Sequence, residues 1–279
     1  MVKKEVDSQV YQQDYYLKAF DGQLENYLKS LKSGTQDNRF KEVFRLANLK
    51  KGEKVLDVGC GRGELVYFSL LKGASKAVGV DYSRPALSIA SKTLDILPEN
   101  LGKGGSFLHQ DISSLELNGE FDCCFLTDIV EHLTKDQLYK LFSEIKNHLS
   151  SEGRIIIHTA PNINWIRFEY PLKRFLVIPS TVIKRLNGKK PYLAPANTNF
   201  LKKILSYLDL YYVRDYYSYS PHMHINEQSP ASLKGLLKML NFDFKLWCED
   251  GSSNFISMVC KKFWGPDIWA LAKLKKKPR

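Results

Sequence analysis

The stretch Lys54-Val55-Leu56-Asp57-Val58-Gly59-Cys60-Gly61-Arg62-Gly63-Glu64, with Gly79-Val80-Asp81 after it, decides the fold. Val55, Leu56 and Val58 suit a buried strand. Gly59, Gly61 and Gly63 carry no Cβ, so the chain can turn sharply and a ligand can approach the turn's amides. The pattern predicts strand, glycine turn, helix and a second strand ending in an acid. Asp81 follows Gly59 by 22 residues, the distance at which such an acid can accept hydrogen bonds from both hydroxyls of a ribose. The expected ligand is therefore small and carries a nucleoside.

The turn's continuation narrows the ligand. A dinucleotide fingerprint spaces its glycines G-x-G-x-x-G to seat a pyrophosphate, whereas here the spacing is G-x-G-x-G, flanked by Asp57 and Glu64. Carboxylates repel a phosphate but tolerate S-adenosylmethionine, which has none and carries an ammonium and a sulfonium. The strings VLDVGCGRGE and GVDYS resemble the first two motifs of class I S-adenosylmethionine-dependent methyltransferases, over roughly residues 36–262. The resemblance implies an α/β fold: a doubly wound, seven-stranded, mostly parallel sheet of Rossmann-like type with a cap inserted after strand five. It also implies that Gly59 and Gly61 line the methionine portion, Asp81 takes the ribose, Asp111 approaches the adenine amino group and Thr127 lends backbone near the methionyl carboxylate. Asp57, Cys60, Gly63, Tyr82 and Ile112 complete the expected cofactor set. Arg39 stands where the ubiquinone-biosynthesis O-methyltransferases pair an arginine with the cofactor carboxylate, a bidentate task suited to arginine; an ordinary surface arginine is the alternative.

Alternating apolar runs and helical patterns continue along the chain as a doubly wound sheet requires. Strands are expected at 106–111, 121–128 and 154–160, a helix at 134–149, a late helix from Ser229 to about Leu240, and a closing pair of strands at 242–248 and 254–263. The expected organisation is a helical lid over residues 1–48, a methyltransferase domain over 49–262 with a substrate-cap insertion at about 162–220, and a basic tail over 263–279. That tail pairs Trp264, Trp269 and Leu271 with lysines, as interfacial helices do, or packs on the domain.

Strand four ends in Thr127-Asp128-Ile129-Val130-Glu131-His132-Leu133, where a doubly wound sheet binds ligands. On a helix, Asp128, Glu131 and His132 would share a face and could deprotonate an acceptor or hold a divalent cation; capping by Asp128 beside a solvated Glu131 and His132 is the plain alternative. TDIVEHL followed by HTAPN is similar to two metal-using branches, the ubiquinone O-methyltransferases and the small-RNA 2′-O-methyltransferases. That likeness implies a magnesium or manganese site of Asp128, Glu131, His132 and a later histidine. Of His222 and His224 the second is preferred, as ligand or as general base. Asp128 stands where those branches have glutamate, one methylene shorter.

The net charge is +11, and 44% of residues are hydrophobic, ordinary for a globular domain. Residues 165–215 hold ten Lys/Arg against three Asp/Glu, and 261–279 seven against one, so the rest of the chain is slightly acidic. Basic attachments on such a core point to an anionic partner, whether membrane lipid or RNA, or serve solubility. No apolar run reaches a membrane span and the first residues lack a signal peptide's apolar centre, so the expected location is the cytoplasm, with peripheral contact at the inner membrane face. The five cysteines lack metal spacing and are expected as reduced, buried thiols. The expected activity is O-methylation of a small-molecule, lipid-linked or glycan acceptor. An RNA 2′-O-methyltransferase is the alternative, and a non-catalytic protein keeping the cofactor fold is the third reading.

Overall fold

A computed structural model describes residues 12–169, 224–249 and 265–275. Three short helices come first: α1 (Gln13–Leu17), α2 (Leu24–Lys32) and α3 (Asn38–Ala47). Then follow β1 (Lys54–Val58), α4 (Glu64–Leu71), β2 (Lys76–Asp81), α5 (Arg84–Asp95), α6 (Glu99–Gly102), β3 (Gly105–His109) and β4 (Phe121–Thr127). A single 3-10 turn at Val130–His132 leads to α7 (Lys135–His148), β5 (Leu149–Thr159), α8 (Pro230–Met239), β6 (Phe242–Glu249) and β7 (Asp267–Leu274).

The strands form one seven-stranded sheet in the order β3-β2-β1-β4-β5-β7-β6. The first five are parallel; β7 runs antiparallel between β5 and β6. This is the expected doubly wound architecture. The chain winds outward from β1 to β3 and then returns past β1 to β4, so the carboxyl ends of β1 and β4 bound the crevice where such sheets take ligands.

Strand alternation divides the core. Val55, Phe125, Ile156 and Trp269 face α2, α3, α4 and α5, while Leu56, Leu126, Ile155, Ile157 and Ala270 face α7 and α8. Helix α7 begins with a capping box: the Thr134 hydroxyl accepts the Gln137 N–H and the Gln137 side chain accepts the Thr134 N–H.

One expectation is corrected. Residues 267–274 are not part of a tail but form strand β7, with Ile268, Trp269, Ala270 and Ala272 buried and paired on both sides. Ile268-Trp269-Ala270-Leu271-Ala272 is apolar without clean alternation because a strand inside the sheet is covered on both faces. The expected strand at 254–263 lies outside the described residues, as do most of the cap insertion, His222 and Cys260. Cys60, Cys123, Cys124 and Cys248 are buried thiols outside any disulfide.

Candidate active site

The glycine turn is drawn tight by main-chain bonds: Gly59 N–H and Cys60 N–H both donate to Val80 O, at 2.8 and 3.1 Å. Gly59 (φ +73°) faces Ile129, and a Cβ there would fall 2.9 Å from its Cδ1. Gly63 (φ +84°) has a different reason to be glycine. It starts α4 hard against Phe107, where a Cβ would sit 2.7 Å from the ring, and it does not reach the cavity wall.

Above this turn lies a cavity of about 650 Å³, large enough for a nucleoside-bearing ligand. Of the residues expected to hold a cofactor, Asp57, Gly59, Cys60, Gly61, Asp81, Tyr82, Asp111, Ile112 and Thr127 line it, and Arg39 and Gly63 do not. Asp81 is the best-placed acceptor. Its Oδ2 takes the Gly61 N–H at 2.9 Å and its Oδ1 the Ser83 N–H at 2.8 Å, which aims both oxygens along the cavity floor with lone pairs to spare. Burial pushes the Asp81 carboxyl up against the downward pull of those amides. Asp57 lies fully buried behind the turn, and burial followed by the charges of Glu64 and Asp81 raises it well above the usual carboxylate range. Asp111 caps the short turn after β3 by accepting the Ser113 N–H at 2.6 Å.

The N-terminal helices form the remaining wall, contributing Tyr15, Tyr16, Lys18, Ala19 and Phe40. Arg62 of the glycine turn holds them there. Its guanidinium donates to Tyr16 O at 2.7 Å, pairs with Glu64 at 2.5 Å, and lies between the Phe20 and Tyr27 rings, 5.0 and 4.9 Å from their centroids. The Tyr27 hydroxyl donates to Arg62 O at 2.9 Å.

At the end of β4 the acidic cluster divides in two. Asp128 adopts a left-handed conformation (φ +54°) and turns toward β5, so it does not share a helical face with Glu131 and His132. Asp128 Oδ1 meets His158 Nδ1 at 2.6 Å and its Oδ2 accepts from Arg39. Burial would raise Asp128, but the His158 hydrogen bond and the His158 and Arg39 charges hold it below its ordinary value. An anion flanked by two cations makes a weak base, which removes Asp128 from the proton-accepting role that the sequence left open.

Glu131, His132 and His224 form the second group. One ligand atom from each lies within 4.8 Å of the others, and the two imidazole rings are 4.9 Å apart. Asp128 is not part of this group, which corrects its expected place among the metal ligands; the left-handed turn at 128 carries its short side chain away. His224 arrives from far along the chain because Ile225 and Asn226 both donate their N–H to Glu131 O at 3.1 Å, while Asn226 Nδ2 donates to Leu133 O. Glu131 is buried and accepts the Thr159 hydroxyl at 2.7 Å. Burial, then the Asp128 charge, pushes its carboxyl up to about 8, so without a bound cation it is protonated at neutral pH.

Sequence reasoning passed over His158, Thr159 and Asp267. The first two stand in the quoted HTAPN string, but β5 alternation alone did not reveal that they face the two halves of the cluster. Asp267 was hidden by the misplacement of β7.

Residues 55–153 match a family model described as "Methyltransferase domain". The mitochondrial ubiquinone biosynthesis O-methyltransferase of Schizosaccharomyces pombe is 31% identical over 134 residues, 47% of each chain. The cyclopropane-fatty-acyl-phospholipid synthase of Escherichia coli K12 is 27% identical over 124 residues, 44% of this chain and 30% of that one. The chain thus spans about half or less of the length of these curated relatives. Among solved structures, the methyltransferase domain of bacterial CtHen1-C superposes with a TM-score of 0.53 at 16% identity, covering 86% of this chain and 99% of that one. With this sheet order, this glycine turn and the Asp81 carboxylate above it, the chain carries a methyltransferase domain over residues 55–153 and has the fold of the class I S-adenosylmethionine-dependent methyltransferases.

Proposed function

We propose that the chain transfers the methyl group of S-adenosylmethionine to an oxygen of a small-molecule, lipid-linked or glycan acceptor. The observation that carries this reading is the juxtaposition, in one cavity, of Asp81 over the glycine turn and His132 at the end of β4. A ribose on Asp81 sets the ligand across the carboxyl ends of β2, β1 and β4, and its methyl sulfonium then points toward His132 and His224. Methyl transfer needs little more than alignment and loss of one proton from the acceptor. The His132 and His224 imidazoles are the groups suited to take it.

Glu131, His132 and His224 also fit a divalent metal. One carboxylate and two imidazoles make a donor set that suits manganese or another transition ion better than magnesium, which prefers oxygen ligands throughout. A bound metal would lower the acceptor hydroxyl's pKa, and the three side chains would hold and orient it; Glu131 would lose its proton on binding.

The lipid-linked acceptor draws support from the relative acting in fatty-acyl-phospholipid chemistry and from the basic segments. Asp81 and Asp111, both along the cavity, disfavour an acceptor that pushes phosphates deep inside. RNA is accordingly the second reading, with the phosphates tracking basic residues outside the cavity. We place the protein in the cytoplasm, with peripheral contact at an anionic membrane surface.

Purified protein, isotopically labelled S-adenosylmethionine and extract fractions separated into lipid, small-molecule and RNA pools test the assignment. Label in the lipid or small-molecule pool, on oxygen, is the expected result. Label confined to RNA would establish the second reading, and no transfer to any pool would support a non-catalytic binding protein.

A further inference from the structure

Four side chains of alternating charge run from the sheet toward the cavity: Asp267 at the start of β7, His158 in β5, Asp128 after β4 and Arg39 in α3. His158 Nε2 lies 3.4 Å from Asp267 Oδ1 and its Nδ1 2.6 Å from Asp128 Oδ1, while Asp128 Oδ2 accepts from Arg39. His158 is 2% exposed, and its ring lies 4.3 Å from the Trp269 ring. Burial alone would lower the histidine; the hydrogen bond and charge of Asp128, then those of Asp267, win and raise it to about 9. It is therefore a cation at neutral pH. Asp128 also receives main-chain support, since its N–H donates to His158 O at 3.1 Å.

The sheet order shows which part of the ligand meets this chain. Asp81 ends β2, the glycine turn follows β1, and Asp128 follows β4, in the spatial order β2-β1-β4. A ligand whose ribose sits on Asp81 and which crosses the glycine turn must bring its amino-acid end to Asp128. That end carries an ammonium and a carboxylate. Asp128 lines the cavity, and the Arg39 guanidinium, though not part of that lining, is paired with its carboxylate. A fixed anion next to a fixed cation complements a zwitterion better than either charge alone.

We propose that His158 and Asp267 are positioning residues that hold Asp128 and Arg39 as a preformed pair for the amino-acid end of S-adenosylmethionine. The proposal rests on the methyltransferase reading and deepens it. Neither residue touches the ligand; both act through the orientation of Asp128, whose left-handed backbone places it at the cavity wall but leaves its side-chain rotation to be set by its partners.

Binding of two ligands distinguishes positioning from simple structural support. S-adenosylhomocysteine carries the amino-acid end, whereas 5′-methylthioadenosine keeps the nucleoside and lacks it. His158→Phe keeps the ring packing on Trp269 and removes both polar contacts; Asp267→Asn, at the partly exposed end of the chain, is the milder change. Isothermal titration of wild type and variants should show S-adenosylhomocysteine affinity about tenfold weaker in His158→Phe, from loss of one charge-assisted contact. Asp267→Asn should be weaker by about threefold, and methylthioadenosine affinity should be unchanged in both. His158→Gln, which can still donate toward Asp128, should recover part of the loss. Equal losses for the two ligands, or no loss for either, would overturn the proposal, and if His158→Phe does not fold, the same comparison on Asp267→Asn and His158→Gln decides it. Wild-type protein that binds neither ligand would overturn the methyltransferase reading instead.

Discussion

Replacing Asp81 should damage two things that separate measurements can tell apart. The carboxylate is 7% exposed and already accepts the Gly61 and Ser83 amides. In Asp81→Ala both N–H groups lose their partner, which costs about 1–3 kcal/mol for each one that water does not reach. The glycine turn should loosen and the melting temperature fall by several degrees. The ligand would also lose the acceptor shared by its two ribose hydroxyls, a further loss of about 2–3 kcal/mol, or about thirtyfold to a hundredfold in affinity. Asp81→Asn separates the two effects. Its amide oxygen can still serve one main-chain N–H while its NH2 faces the other donor, so stability should return only in part, while affinity stays at least about tenfold below wild type because the remaining oxygen is neutral. Calorimetric titration with S-adenosylhomocysteine, alongside thermal melts of the free proteins, gives both quantities. Wild-type affinity in Asp81→Asn would refute the placement of the ribose, and so would a loss in Asp81→Ala fully restored by Asn.

Removing residues 265–279 takes away β7 and should leave no cooperative melt, because Ile268 and Trp269 alone contribute about 5 kcal/mol or more against a total stability of about 5–15 kcal/mol; a normally folded truncation would refute the strand assignment. Glu131→Gln, measured with chelator present, should melt higher than wild type at pH 9. A carboxyl raised to about 8 loses stability as pH climbs from its ordinary value through 8, and glutamine does not ionise; equal melting temperatures across pH 5–9 would count against a buried, neutral Glu131. His158 gives the companion case: its contribution is full below its ordinary pKa and disappears as pH rises through about 9, so the stability gap between wild type and His158→Gln should narrow over that range. His132→Ala should lower turnover at least about a hundredfold with cofactor affinity held within about threefold, read by labelled-methyl transfer and titration. EDTA should abolish the activity and manganese restore it if Glu131, His132 and His224 hold a metal.

How much was legible in the sequence followed from how local each signal was. The glycine turn, β1, β2 and Asp81 lie within one short segment, and their chemistry depends on spacing along the chain. The acidic cluster failed as a helical face because a single left-handed residue, Asp128, turns the backbone. Nothing in Asp-Ile-Val-Glu-His marks that turn, since aspartate, although enriched in the left-handed region, mostly lies outside it. The contacts of His158 with Asp128 and Asp267 depend on the register of β5 against β4 and β7, which no local pattern encodes. β7 itself reads in the sequence as part of a basic tail, packed on the domain or lying at an interface, because a strand buried on both faces and an amphipathic helix rich in Trp and Leu have similar compositions.

The position of β7 has a consequence for the order in which the protein can be made. The strand that joins β5 to β6 is synthesised after both of them, so during translation β5 presents an open edge of Arg154 to Thr159 with its backbone groups unpaired. The other half of the sheet, from β3 to β4, depends only on earlier residues and can assemble while the ribosome is still working. The nascent chain would therefore hold a finished nucleoside-facing half beside an unfinished edge, the kind of surface that pairs with neighbouring chains or recruits a chaperone. Ligand present during synthesis would bind the early half and favour it before the last strand arrives. Added cofactor should consequently raise the soluble yield of the newly made chain by more than its effect on the melting temperature of the finished protein would suggest.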